Sequence, residues 1–191
     1  MLDDTNQAAE ETTVRTVLRK VTQTLHRQTE TVWTPSGRFV SEESYHKFLS
    51  ALLSAHKEVG LAAAIARGDD EEAEEESRRI EALTADLQLD SPVCAPVPGI
   101  EMTPDYAWGV SYVLNGSALG ASILLKGDAL APHWPRRYLT LGHQYARSGR
   151  LKNFFERLNT EAERSPAVER GATDTFSILF KAAPKRARVD A

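Results

Sequence analysis

With one cysteine, Cys94, in 191 residues, the chain has no internal disulfide framework and no paired-cysteine metal or redox motif. Aromatic residues are scarce, at 7%, and too thinly interleaved with basic ones to suggest a stacking platform for nucleic acid. An excess of positive charge is also lacking. Twenty-seven Asp and Glu against 23 Lys and Arg give a net charge of −4, which disfavours a phosphate backbone as partner. No run of about 18 apolar residues occurs, and Met1 to Asn6 carry neither a basic region nor an apolar run. Neither a membrane span nor a signal peptide is therefore expected, and the expected location is the cytoplasm.

What is present is helical periodicity, with no run that alternates as a strand and no internal repeat. Val14, Val17, Leu18, Val21, Leu25 and Val32 recur at three- and four-residue steps until Thr34-Pro35-Ser36-Gly37 stops the helix. A second helix opens at Ser41, with Glu42 and Glu43 in its first turn, and runs towards Gly68. A third, acidic helix ends near Leu89. Pro92, Pro96, Pro98 and Gly99 mark Asp90 to Met102 as a loop and a candidate hinge. Thr103-Pro104 then reads as an N-cap followed by proline at the first helical position, opening an apolar helix to Lys126. Pro132 and Pro135 mark another loop, and two or three further helices are expected near 136–147, 149–164 and 167–181, the last two separated by Ser165-Pro166. The expected fold is all-α, with a flexible N-terminus over 1–10, one helical domain over 11–182 and a flexible basic tail over 183–191. The acidic run from Asp69 to Glu76 and the basic tail at Lys185, Arg186 and Arg188 both read as solvated surface.

Two helices carry the candidate chemistry. In the first, His26 lies beside the apolar stripe with Glu30 four residues on, so the carboxylate shares its face and can accept from one ring nitrogen. A metal-bound imidazole commonly gives its other N–H to such an acceptor. The remaining histidines, His46, His56, His133 and His143, show no close spacing of a zinc site. One protein nitrogen suffices only where the metal brings its other ligands with it. The second helix, Pro104 to Lys126, holds Gly109, Gly116 and Gly120 in its interior, each costing about 0.5–1 kcal/mol relative to alanine. Close helix packing, a bend, or a flat ligand against the backbone are all uses for such glycines.

With both helices read, the chain resembles the haem oxygenase family, most closely its bacterial, bacteriophytochrome-associated branch. The proximal segment of that family is similar to Leu18-Arg19-Lys20-Val21-Thr22-Gln23-Thr24-Leu25-His26, followed by Glu30. Its distal Tyr-x-x-x-Gly-x-x-x-Gly helix is matched by Tyr112, Gly116 and Gly120. "YHKFLSALLSAH", "GRLKNFFERLN" and "AVERGATDTFSILF" follow in the family's order, so the similarity covers roughly 12–181. The chain departs from the pattern at Gln23, Asn115, Ala121 and Glu156, where a base, Glu, Gly and Arg respectively are often found.

The resemblance implies a haem oxygenase-like fold in which haem, both cofactor and substrate, lies between the two helices. His26 would be the iron's proximal ligand and Glu30 its support. Arg19 and Lys152 would face the haem propionates, Thr22 and Tyr112 would belong to the binding site, and Gly116, Ser117 and Gly120 would line the catalytic side. The implied reaction consumes O2 and electrons from a ferredoxin or reductase and yields biliverdin, carbon monoxide and ferrous iron, with a bacteriophytochrome as a user of the biliverdin. A non-catalytic haem- or tetrapyrrole-binding or sensing protein on the same scaffold is the alternative, followed by a plain helical interaction module without a cofactor.

Overall fold

A computed structural model describes residues 13–90 and 100–183, and they contain seven α-helices and no strand. The expectations for the tails at 1–10 and from 184 onward, and for most of the 90–102 loop, fall outside the described residues. In chain order the helices are α1 (Val14–Trp33), α2 (Glu42–Ala66), α3 (Asp70–Asp86), α4 (Pro104–Lys126), α5 (Arg137–Arg147), α6 (Arg150–Glu161) and α7 (Pro166–Lys181).

Local chemistry sets most of these boundaries. The Thr13 hydroxyl accepts from the Thr16 N–H at the start of α1, and Ser41 and Ser44 cap each other reciprocally at the start of α2. Thr103 and Ser165 act the same way ahead of Pro104 and Pro166. The α5–α6 link turns at Gly149, whose φ of 86° favours glycine. Inside α2, residues His56–Gly60 wind as a single π-turn, a form often found at functional positions.

Helix α4 is the central element, packed against α7, α5, α6 and the second half of α2. Val14, Leu18 and Val32 of α1 are buried as their spacing predicts, whereas Val21 is partly exposed, so the buried stripe is narrower than the apolar pattern suggests. Trp33 donates its indole N–H to the Leu179 carbonyl at 3.3 Å and ties the end of α1 to α7. Helices α2 and α4 are long and apolar enough to cross a membrane by length and composition, and about half of the apolar window of each is buried inside the molecule.

Candidate functional site

The glycines of α4 fall into two kinds. A Cβ at Gly109 would lie 2.0 Å from the Val168 carbonyl oxygen, and one at Gly171 of α7 would lie 2.1 Å from the Tyr106 carbonyl oxygen. There the two helices cross backbone against backbone, and close packing explains both residues. A Cβ at Gly116 or Gly120 would meet nothing within 4 Å. Packing does not explain these two, and their cost in helix propensity is left without a structural return. Beside them Leu119 and Ile123 are 47% and 71% exposed, so this part of α4 presents an open, apolar face.

On α1, the His26 side chain is 56% exposed and its Nδ1 lies 3.4 Å from a Glu30 carboxylate oxygen. The ring packs edge-on to Phe176, with centroids 5.6 Å apart. The His26–Glu30 pair is thus formed as its spacing predicts. One turn earlier, Thr22 is buried, donates its hydroxyl hydrogen to the Leu18 carbonyl at 2.7 Å, and lies close enough to Tyr112 of α4 to act on its hydroxyl. Thr22 stands one turn before His26 on α1, and Tyr112 one turn before Gly116 on α4. Burial raises the Tyr112 pKa, opposed by Thr22 and by the charges of Arg15 and Arg19. The Arg15 guanidinium stacks on Phe155, 4.0 Å from the ring centroid. Arg15 and Arg19 therefore supply positive charge at the Tyr112 end of the pair. Lys152 is 80% exposed and lies 3.5 Å from Glu156, and no contact draws it to the other candidates.

The acidic run corrects an expectation. Glu71 and Glu74 are exposed, but Asp69, Glu72, Glu75 and Glu76 are buried, together with Arg79. They belong to one polar network across the core. Glu76 binds the Arg79 guanidinium and also lies 2.5 Å from His56 Nδ1. Arg79 donates to Asn115 Oδ1 at 2.9 Å, and Asn115 Nδ2 donates to Glu72 at 2.5 Å. Arg150 reaches Glu75 at 2.6 Å and Arg157 reaches Asp69 at 2.6 Å. Burial pushes the Glu76 carboxyl up, but His56 and Arg79 outweigh it and hold the group down to about 2. For Glu72 burial prevails and the pKa is raised. The missing side chain of Gly60 makes room for Glu76, whose Oε2 would lie 2.5 Å from a Cβ there.

The network reaches the glycine helix at Ser117. His56 Nε2 lies 2.9 Å from the Tyr138 hydroxyl, and that hydroxyl lies 3.0 Å from Ser117 Oγ. The Ser117 hydroxyl donates to the Leu114 carbonyl at 2.6 Å. Sequence reasoning missed His56, Glu76, Arg79 and Tyr138 as a group. A signal was present: Glu72, Glu76, Arg79 and Leu83 follow the three- and four-residue steps of one helix face, and the stripe ends in a buried leucine.

Two cavities among the described residues lie away from His26 and the Gly116 face, the second of them beside the buried network. One, between α3 and α5, is lined by Arg78, Glu81, Arg137 and Gln144 among others. The other, of about 160 Å³, is lined by Glu72, Glu75, Tyr145, Arg150 and Asn153 among others. Among the described residues no group of three or more His, Cys, Asp or Glu side chains is placed to hold a bare metal ion. His26 offers a single nitrogen, which suits a metal already held by a planar ligand. No family model, no curated protein and no solved structure matches the chain.

Proposed function

We propose that the protein is a haem oxygenase, cleaving haem to biliverdin, carbon monoxide and ferrous iron at the expense of O2 and electrons from a ferredoxin or reductase. The observation that carries this reading is the open face at Gly116 and Gly120, two helix-interior glycines with no packing partner. Exposed Leu119 and Ile123 give that face the apolar surface a porphyrin would cover, and His26 on α1 has the Glu30 carboxylate behind one nitrogen. These residues fit the group.

Haem, when bound, supplies the oxidative chemistry. His26 would hold the iron through Nε2 while Glu30 accepts from Nδ1–H, fixing the tautomer and strengthening donation. With no side chain at Gly116 or Gly120, the α4 backbone there would be open to the ring. Arg19, and Arg15 near it, would supply guanidinium groups for the propionates, since both bring positive charge to the Tyr112 end of the face. Ser117 offers a hydroxyl next to the face. The proposed location is the cytoplasm, and a bacteriophytochrome is a proposed user of the biliverdin.

A hemin titration of wild type and His26→Ala tests the reading. Wild type is expected to give the spectrum of a histidine-ligated haem, and His26→Ala to lose those bands with its far-UV circular dichroism unchanged. Identical spectra from the two proteins would remove His26 from the site.

A further inference from the structure

We propose that the groove between α3 and α5 binds an organic monocarboxylate, its acid head at Arg136 and Arg137 and its apolar body along Ala85, Ala82 and Leu141. This site lies away from the Gly116 face and does not depend on the haem reading.

The two helices run in opposite directions. Asp86, at the end of α3, accepts from the Arg137 and Tyr138 N–H groups at the start of α5, at 3.0 and 2.9 Å. Two turns on, the Arg79 guanidinium lies over Tyr145, 4.7 Å from the ring centroid. Between these contacts Arg78, Ala82 and Ala85 form one wall, and Arg137, Leu141 and Gln144 the other. Each set is spaced four and then three residues apart, as one helix face requires. Two turns of helix make the groove about 10 Å long. The cavity measures about 730 Å³, a size that takes a small organic molecule. Ala82 and Ala85 give it depth, because α3 offers only methyl groups where α5 offers Leu141.

Charge is unequal along the groove. Arg67, Arg78, Arg79, Arg150 and Arg157 each pair with a carboxylate, whereas among the described residues neither Arg136 nor Arg137 has such a partner for its guanidinium. Asp86, the acid at this end, spends its oxygens on the two backbone N–H groups. Arg136 is held in position, since its Nη2 donates to the Ala131 carbonyl at 2.9 Å and the adjacent Pro135 carbonyl accepts the Tyr45 hydroxyl at 2.7 Å. Its Nε is buried and has no acceptor among the described residues. Arg137 is exposed, and Thr140 adds a hydroxyl one turn further along the same wall. Consecutive guanidinium groups suit a carboxylate, whose planar oxygens match their N–H forks. The far end is different. Arg78 is already bound by Glu74 and Glu75, and Glu81 stands on that wall. A second negative charge on the ligand would face Glu81, so one acid head followed by an uncharged body fits best. Ala82, Ala85 and Leu141 are half-buried, and such a body would take their remaining apolar surface out of water.

The test titrates octanoate into the full chain, free of haem and labelled with 15N in arginine, and reads binding by calorimetry and by the side-chain Nε–H signals. Octanoate is expected to saturate one site and to shift the Arg136 and Arg137 signals. Acetate, which is the head alone, and octylammonium, which carries the opposite charge, are each expected to bind more weakly by roughly tenfold or more. Arg137→Gln removes an exposed head contact and Ala82→Leu fills the floor. Each is expected to weaken octanoate by roughly tenfold, the scale of one lost bond to a charged group, with far-UV circular dichroism and hemin binding unchanged. Gly116→Leu is expected to leave octanoate binding as in wild type. Three results overturn the proposal: no saturable binding, acetate or octylammonium binding as tightly as octanoate, or octanoate weakened by Gly116→Leu and not by Arg137→Gln. Octanoate binding without hemin uptake keeps the groove and removes the haem reading. Hemin uptake without octanoate binding removes the groove and keeps the haem reading.

Discussion

Glu76→Ala is expected to lose about 3–5 kcal/mol of folding stability, the cost of leaving a buried charge without its partner. The substitution strands two groups, since Glu76 faces both His56 and Arg79 in the core. Arg79 keeps Asn115 as an acceptor and the Glu75 carboxylate at 3.9 Å, but neither replaces the directly bound Glu76 carboxylate. With ordinary domain stability of about 5–15 kcal/mol, the variant sits close to unfolding, and the urea midpoint measures it. The same pair sets an acid limit. Because the Glu76 carboxyl is held near 2 in the folded protein, against 4.5 for a free group, its contribution is complete above about pH 4.5 and declines as pH falls towards 2. Melting temperatures measured down that range are expected to fall in wild type and to fall less in Glu76→Gln.

Gly116→Leu, with Gly120→Leu beside it, is expected to separate stability from binding. Neither new side chain meets a neighbour at its Cβ, and leucine is the better helix former, so each protein is expected to keep its stability or gain about 0.5–1 kcal/mol. Filling the face is expected to weaken hemin binding by roughly tenfold or more, equivalent to about 1.4 kcal/mol or more. Calorimetric unfolding and hemin titration read the two effects separately. Gly109→Ala reverses the pattern, because its Cβ would meet the Val168 carbonyl oxygen. Unaltered hemin affinity in both leucine variants would mean that the ligand lies elsewhere.

Helix boundaries were legible in the sequence where a side chain makes its own local bond. Thr103-Pro104 and Lys126 bound α4 as read, and Ser41 caps the helix it announces. The His26–Glu30 pair was legible for the same reason, since four residues on one helix fix the geometry. The roles of the glycines were not, because the atoms that decide between packing and open space belong to α7 for Gly109 and to no residue for Gly116. The buried acidic stripe was misread because its partners are distant: Asn115 lies 36 positions from Arg79 and Arg157 lies 88 from Asp69. A run of carboxylates carries no mark of whether guanidinium groups will fold onto it. Lys152 was named by resemblance alone, and its side chain lies in solvent beside Glu156.

The most direct test of the account is spectroscopic. Hemin is bound to the purified wild-type protein, and ascorbate is added under air with catalase and an iron chelator present. The account predicts that the bands of the histidine-ligated haem decay and that a broad biliverdin absorption grows towards the red. A haem spectrum that persists unchanged under reduction would contradict catalysis and leave a haem-binding protein, and no haem spectrum at all would contradict the site itself.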